Sequence, residues 1–392
     1  MFKMNSSKLQ DVVAEMAKSV KVSCIGDRNV YIKNSGKNIV SFYFTSIDLS
    51  GEKKVSATVT EDFFVTTSMK ELANKVDALP SHQEIDITYV KKKDTQYIEM
   101  VWGTNGRRSE MKVRVLNETT EFMEIPVPSE KVIWGPNLLS QLVEKFNGFT
   151  VKSTSEAART SPIFSGISIS QSPSGHCILQ ACDRLNGVTY ESKNYNWVNL
   201  PVIIDTAHLR GIENMISSDS EVEVGINKSA SLVIFQTPDT TCVCRVIDGV
   251  FPDLLSKYEY DVECRYIFDR AELMELCARV QKITSTGTKT VRFENRKGEN
   301  RKNTVFAVVP QVLEQQLGTS VEGIKWNFAV NAEKLNECLK FFEAQEEITL
   351  YIKDPLKPIT IGSDEVAEVM MYTTPYRISD FINTDGVLSS TH

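Results

Sequence analysis

The alternation of hydrophobic and polar positions repeats three times along the chain. In each copy, apolar residues at helical spacing are followed by a stretch in which every second residue is apolar. The three copies occupy residues 69–89, 207–226 and 333–352. Each contains an anchoring leucine that precedes a glutamate by 12 residues, namely Leu72, Leu209 and Leu335. The pattern predicts a short amphipathic helix that leads into a strand with one buried face.

A second amphipathic helix is predicted near the start of each unit. Apolar pairs three or four residues apart occur at residues 8–16, 137–143 and 273–280. Alternating segments bounded by turn residues lie between and after the helices, and they predict strands. The expected fold class is therefore α+β, with three similar domains that each have two helices backed by antiparallel sheet.

Domain boundaries follow from the spacing of the repeats and from the turn residues between them. The expected domains span residues 1–125, 126–260 and 261–378. Residues 379–392 form a polar extension, which we expect to be a mobile C-terminal tail.

Composition excludes several classes of protein. The chain has 392 residues and a formal net charge of −7, which excludes a generally basic nucleic-acid binder. It contains no apolar run of membrane-spanning length, and its N-terminus lacks the apolar core of a signal peptide. We therefore expect no membrane association and a cytoplasmic location. The eight cysteines, several of them within apolar runs, predict reduced and buried thiols.

No motif indicates catalysis, a metal or a cofactor. The histidines, His82, His176, His208 and His392, lack the spacing of metal ligands or of a catalytic triad. The Gly-x-Lys-Thr stretch at 287–290 lacks the first glycine of a phosphate-binding loop. The basic clusters at 91–93 and 296–302 are typical of solvated hairpin turns. We expect a protein that is not an enzyme and that needs no cofactor.

Short segments at the ends of the second and third units carry a resemblance. Residues 247–253 read Ile-Asp-Gly-Val-Phe-Pro-Asp, and residues 375–378 read Pro-Tyr-Arg-Ile. Together with residues 354–359 and the third helix repeat, they resemble bacterial DNA sliding clamps, the DNA polymerase III beta subunit family. The chain departs from that family at residues 181–185, where Ala-Cys-Asp-Arg-Leu lacks the usual Gly-His pair, and in its extra C-terminal tail.

The resemblance implies a ring-shaped processivity factor for DNA replication. Such a ring is a homodimer, encircles double-stranded DNA without reading its sequence, and binds DNA polymerase and a clamp loader. A bacterial and a bacteriophage origin both remain open.

The resemblance also implies site residues. An apolar peptide-binding groove would be formed by Phe164, Arg184, Leu185, Pro252, Tyr372, Thr374, Pro375, Tyr376 and Arg377. Phosphates in the DNA channel would be contacted by residues on or beside the helices, namely Lys8, Lys18, Lys70, Lys75, Lys145, Arg210, Arg270, Arg279, Lys282 and Lys340. The dimer joint would include Met111, Val113 and Ile283. Core packing is the competing interpretation for Phe164 and Leu185, and roughly half of the basic residues are expected to be ordinary exposed charges.

Two other functions remain open at this point. A non-catalytic structural ring or a virion-associated repeat protein could use the same repeat without a peptide groove. A nuclease with a diffuse site is a third possibility, and turnover on DNA would distinguish it.

Overall fold

The computed structural model describes residues 1–23, 28–92, 95–104, 106–117, 125–198, 200–254, 262–284, 289–297, 303–363 and 366–376. The predicted tail at 379–392 and part of each basic cluster lie outside these ranges. The chain divides into two compact units. Unit 1 comprises Met1–Val143 and Tyr195–Asp248, and unit 2 comprises Glu144–Asn194 and Gly249–His392.

The described chain contains seven α-helices, and the helices predicted from the repeat are confirmed. They are α1 (Ser6–Ser23), α2 (Met69–Asp77), α3 (Leu138–Phe146), α4 (Glu156–Thr160), α5 (Thr206–Glu213), α6 (Arg270–Ile283) and α7 (Ala332–Leu339). Short 3-10 turns occupy Asn147–Phe149, Pro162–Ser165 and Lys340–Phe342.

Strands make up most of the remaining regular structure. Those before α4 are β1 (Phe2–Asn5), β2 (Asn29–Gly36), β3 (Ile39–Thr45), β4 (Leu49–Ser56), β5 (Thr58–Val59), β6 (Phe64–Ser68), β7 (Glu84–Lys92), β8 (Thr95–Thr104), β9 (Arg107–Arg114) and β10 (Glu130–Trp134). Those up to α6 are β11 (Gly166–Gln171), β12 (Cys177–Cys182), β13 (Asn186–Ser192), β14 (Val202–Asp205), β15 (Val222–Ile226), β16 (Leu232–Gln236), β17 (Thr240–Arg245) and β18 (Cys264–Asp269). The last are β19 (Thr290–Lys297), β20 (Asn303–Val309), β21 (Leu313–Leu317), β22 (Thr319–Gly323), β23 (Phe328–Asn331), β24 (Glu347–Ile352), β25 (Ile359–Ser363) and β26 (Val366–Thr373).

Unit 1 contains two sheets. A five-stranded sheet has the order β5-β1-β7-β8-β9, and an eight-stranded sheet has the order β10-β15-β16-β17-β4-β3-β2-β6. Helix α1 packs against α2 and α5. The strand pairs recorded in these sheets are antiparallel, as the period-two alternation predicts.

Unit 2 also contains two sheets. One runs in the order β11-β12-β13-β26-β25-β24-β18-β22, and the other in the order β21-β20-β19-β23. Helix α7 packs against α6 and against the 3-10 turn that follows α3.

A local sequence feature starts most of the helices. The last residue of the strand before the helix carries a short polar side chain that accepts a hydrogen bond from a backbone N–H of the first turn. These capping residues are Asn5, Ser68, Asp205, Asp269 and Asn331. The strand can therefore turn directly into the helix without a connecting loop.

The predicted repeat forms the core. Leu72, Leu209 and Leu335 are 3%, 0% and 0% exposed. The alternating apolar residues of β7, β15 and β24 are buried with them. Burial of one such leucine contributes about 1.5–3 kcal/mol. The seven cysteines within the described ranges are also buried and free, as predicted, and burial raises the pKa of Cys177, Cys242 and Cys277 to about 12.

The described chain builds six copies of one motif, in which a strand leads to a helix and then to three strands. The last strands of these motifs are β4, β9, β13, β17, β21 and β26. Two of the motif junctions join last strands directly, because β4 pairs with β17 and β13 pairs with β26. Among the described residues, β9 and β21 remain as edges of their sheets.

Candidate binding groove

A small apolar cluster in unit 2 marks the surface where several of the predicted site residues meet. Cys182, Leu254 and Tyr372 are buried together, and the partly buried rings of Phe164 and Phe251 pack against them. The cluster joins the end of β12, the segment after Gly249 and strand β26. It provides apolar contact area with aromatic rings at its margin, which is the usual lining of a peptide or ligand groove.

Tyr372 forms the floor of the cluster. Its hydroxyl lies 2.8 Å from the Sγ atom of Cys182. Its ring lies against Gly187, the residue opposite it in the β13–β26 pair. A Cβ atom at Gly187 would come within 2.2 Å of the Tyr372 ring, so this close approach requires glycine.

The turn between β12 and β13 forms one rim. The Oδ1 atom of Asp183 accepts hydrogen bonds from the N–H groups of Leu185 at 2.9 Å and Asn186 at 2.7 Å. Arg184 has a φ of 77°, in the left-handed region that non-glycine residues seldom occupy. Its guanidinium lies 5.2 Å from the centre of the Phe164 ring, and Leu185 is left 53% exposed.

The segment after β26 lies along this rim. The N–H of Thr374 donates to the carbonyl of Leu185, and the N–H of Tyr376 donates to the carbonyl of Ala329, both at 2.8 Å. These bonds fix the backbone on both sides of Pro375. The side chains of Pro375 and Tyr376 remain partly exposed.

A lysine anchors the rim from the helical side. The Nζ atom of Lys334, on α7, lies 2.5 Å from the Oδ2 atom of Asp183. The same ammonium donates to the carbonyl of Gly148 at 3.2 Å. The Asp183 side chain is 8% exposed, so this ion pair is largely shielded from water.

Gly148 packs closely against a side chain of α7. A Cβ atom there would come within 2.5 Å of the Glu337 carboxylate. Glu337 is in turn held by Lys340, whose Nζ lies 2.8 Å from its Oε1 atom. Helix α7 and the 3-10 turn after α3 therefore pack closely together beside Lys334.

The structure brings together much of the predicted groove. Phe164 contacts Arg184, Leu185 is bonded to Thr374, and Tyr372 lies at the centre. Pro252 and Tyr376 are partly exposed in the adjoining segments, and Arg377 lies outside the described residues.

Five residues that contribute to this cluster and its rim were not predicted from the sequence. They are Cys182, Asp183, Phe251, Leu254 and Lys334. Phe251 lies inside one of the segments that carry the resemblance and Leu254 directly follows it, so that segment could have indicated both. Cys182 and Asp183 lie at residues 181–185, where the chain departs from the resemblance. Nothing in the sequence pattern indicates Lys334.

The described residues show neither a metal site nor a membrane-spanning helix. No group of three or more His, Cys, Asp and Glu side chains could hold a metal ion within the described ranges. No helix in that part of the chain is long and apolar enough to cross a membrane.

Similar proteins are found by comparison of structures and not by comparison of sequences. No family model matches the sequence, and no curated protein is similar to it in sequence. The sliding clamp of Bacillus subtilis is similar in structure, with 17% identity, a TM-score of 0.79 and coverage of 96% of this chain and 99% of that one.

Two other solved structures agree with this result. DNA polymerase III subunit beta of Borrelia burgdorferi has 11% identity and a TM-score of 0.79, and the beta subunit of Thermotoga maritima has 18% identity and a TM-score of 0.76. Both alignments cover 96% of this chain and 99% of the other.

The chain has the fold of a DNA sliding clamp. The expected α+β clamp fold, with its repeated helices and antiparallel sheet, is thereby confirmed.

Several basic residues predicted to face the channel of the clamp fold are engaged within the chain. Arg270 donates from its guanidinium to the carbonyls of Gln345 and Glu343. The other engaged residues are Lys75 with the Lys112 carbonyl, Lys145 over the Phe341 ring, Arg279 with Gln315, and Lys340 with Glu337.

The remaining candidates are Lys8, Lys18, Lys70, Arg210 and Lys282. Lys8, Lys18 and Lys282 are exposed and Arg210 is partly exposed, and none of the four forms an ion pair with a residue that the structure describes. Lys70 is exposed on α2. These positions leave cationic groups on α1, α2, α5 and α6.

The predicted joint residues of the clamp fold lie on β9 and at the end of α6. Met111 is partly exposed, and Ile283 is 38% exposed. Val113 is fully buried within its own unit, so it supports the inner face of β9.

Proposed function

We propose that this chain is a DNA polymerase processivity factor, a ring-shaped sliding clamp that encircles duplex DNA and tethers polymerase and a clamp loader through the groove in unit 2. The observation that carries the proposal is the clamp fold, which extends over nearly the whole chain and nearly the whole of each compared clamp. The function is one of tethering, in the cytoplasm of a bacterium or of a phage-infected cell.

The three-domain division at 1–125, 126–260 and 261–378 belongs to this proposal. Each of these domains would hold two of the six strand–helix–strand motifs. The pairing of β4 with β17 and of β13 with β26 would then join the first domain to the second and the second to the third.

The way in which the last strands pair also suggests how two copies would close a ring. In both observed junctions, the last strand of a first motif pairs with the last strand of a second motif. Within the described part of the chain, the last strands not joined in this way are β9 and β21. Each copy carries one of each, so two head-to-tail contacts would complete a closed homodimer.

A register for this joint follows from the β17–β4 pair, in which Cys244 lies opposite Leu49 and Val243 opposite Ser50. We align Met-Lys-Val-Arg-Val at 111–115 with Cys-Val-Cys-Arg-Val at 242–246, and Leu313 with Leu49. This alignment gives two residue pairs across the joint. Val113 would lie opposite Leu313, and Lys112 opposite Glu314. Lys112 and Glu314 are both exposed, so the register places outward-facing side chains of opposite charge together.

The net charge of −7 favours retention by topology over tight binding to DNA. Exposed basic residues such as Lys8, Lys18 and Lys282 would contact phosphates without reading bases. The ring would therefore slide along a duplex and leave only at an end.

The decisive experiment closes the proposed joint chemically. Lys112→Cys and Glu314→Cys are introduced together in a Cys24→Ser background, mixed with nicked circular DNA and linked with a short bismaleimide. We expect linked protein to resist a wash in 1 M salt on the circle and to be released when the DNA is linearised. Equal retention on circular and linear DNA would contradict the clamp function.

A matched control moves one cysteine out of register. The pair Lys112→Cys and Gln316→Cys should link less efficiently, because these residues are not opposite each other in the proposed register. Retention on the circle without binding of any polymerase peptide would favour the structural ring.

A further inference from the structure

The rim turn of the groove depends on a carboxylate that is itself held by a lysine from another part of unit 2. One oxygen of Asp183 accepts hydrogen bonds from the N–H groups of Leu185 and Asn186, and the other pairs with Lys334. Lys334 is fixed by the Gly148 carbonyl. The chain of contacts therefore runs from helix α7 to the exposed Leu185.

The backbone conformation of the turn explains why it needs this support. Arg184 adopts a left-handed backbone conformation, which persists in a non-glycine residue only where its surroundings impose it. The Asp183 carboxylate spans the strained residue by binding the two amides that follow it. Without a fixed carboxylate, the turn loses the contacts that hold Arg184 over Phe164 and leave Leu185 facing outward.

We infer that Lys334 is a positioning residue of the peptide groove: its ammonium orients the Asp183 carboxylate so that the Arg184–Leu185 rim is preformed before a peptide binds. This inference rests on the proposed function, because it assumes that the groove receives a peptide. Lys334 need not touch the peptide, and its effect is to lower the ordering cost of binding.

Unit 1 offers a matched control for the loss of a lysine. The Nζ atom of Lys53 donates to the Met215 carbonyl and pairs with Glu15, both at 2.8 Å. Like Lys334, it binds a backbone carbonyl and a carboxylate, but its carboxylate partner lies on helix α1. Lys53→Met should therefore lower stability and leave the groove unchanged.

The test uses the full-length protein and a fluorescein-labelled peptide with a Leu-Leu-Phe segment between serines, read by fluorescence anisotropy. We expect Lys334→Met to weaken binding about tenfold, an effect within the usual range for lost preorganisation. Lys334→Arg, which keeps the charge and the donors, should recover most of the affinity. Lys53→Met should bind the peptide as the unmodified protein does.

A second measurement needs no ligand. In Lys334→Met, amide hydrogen exchange at Leu185 and Asn186 should accelerate by about tenfold, because the carboxylate that accepts these amides is no longer fixed. In Lys53→Met, exchange at these two amides should stay at the rate of the unmodified protein.

The outcomes separate this inference from the function on which it rests. If Tyr376→Ala weakens binding while Lys334→Met alters neither affinity nor exchange, the groove stands and the positioning role is wrong. If the unmodified protein does not bind the apolar peptide and Lys334→Met does not accelerate exchange, both the proposed function and the positioning role are wrong. Equal losses in Lys334→Met and Lys53→Met would reduce Lys334 to a general stabilising residue and overturn the inference.

Discussion

The β4–β17 junction of unit 1 and the β13–β26 junction of unit 2 are built on the same plan but have different surfaces. Each has a glycine that faces a large side chain. At Gly51, a Cβ atom would meet Phe44 at 2.6 Å and Met215 at 2.7 Å, and both of these residues are buried. At Gly187, the space is taken by Tyr372, whose cluster continues to rings that are partly exposed. The filling side chains are buried at both junctions, but only the Tyr372 cluster extends to partly exposed rings.

The turns beside these glycines differ in the same sense. The turn before β4 is closed by its own serine, because the Oγ atom of Ser46 accepts the N–H of Leu49 at 3.0 Å. The turn before β13 is closed by Asp183, which is tied to a distant helix. One repeat therefore yields a self-contained turn in unit 1 and a supported rim in unit 2.

The largest effect should come from filling the two glycine positions. Gly51→Val should lower the free energy of unfolding by about 1–3 kcal/mol through overpacking, with no change in peptide affinity. Gly187→Val should displace Tyr372 and abolish measurable peptide binding. Denaturant titration and peptide anisotropy on both variants give the comparison, and equal loss of peptide binding in both would show that the two junctions are not functionally distinct.

A smaller effect is expected at the exposed end of the groove. Tyr376→Ala should weaken peptide binding about tenfold, the loss of an aromatic anchor, and should leave the dimer intact because the proposed joint lies on β9 and β21. Peptide anisotropy and native mass would be measured together. A variant that binds the peptide normally would mean that Tyr376 is outside the site.

The smallest effect should follow removal of one hydroxyl from the groove floor. Tyr372→Phe loses the contact with Cys182 and keeps the ring over Gly187, so the free energy of unfolding should fall by about 0.5–1.5 kcal/mol. Peptide affinity should change by less than about threefold, since the apolar surface is retained. A large loss of affinity would reveal that the hydroxyl itself contacts the peptide.

How far the sequence predicts this molecule depends on the range of the interactions involved. The helix and strand of each repeat were predictable because their apolar spacing is local, as at Leu72 and the strand that follows it. The groove was partly predictable because Tyr372 and Pro252 lie within or near recognisable segments. Lys334 was missed because its role arises only from the packing of α7. Leu254 was missed although it directly follows a recognisable segment.

The basic residues illustrate a second limit. Arg270 and Lys282 both lie on α6 and look alike in the sequence. In the structure, Arg270 is bonded to backbone carbonyls, whereas Lys282 is exposed. A basic residue that binds backbone carbonyls and a basic residue that faces solvent can look alike in the sequence of a helix. Only the tertiary structure distinguishes them.

Strands β9 and β21, two dissimilar edges of the described sheets, have a consequence for association at high concentration. Because β9 would pair with β21 of another copy, a dimer held by only one contact would still expose one edge of each kind. Such an open dimer could add further copies end to end, and growth would stop only when the two ends meet. A substitution that changes the angle at which copies join should therefore produce filaments rather than monomers, and electron microscopy would show them as fibres that lengthen with protein concentration.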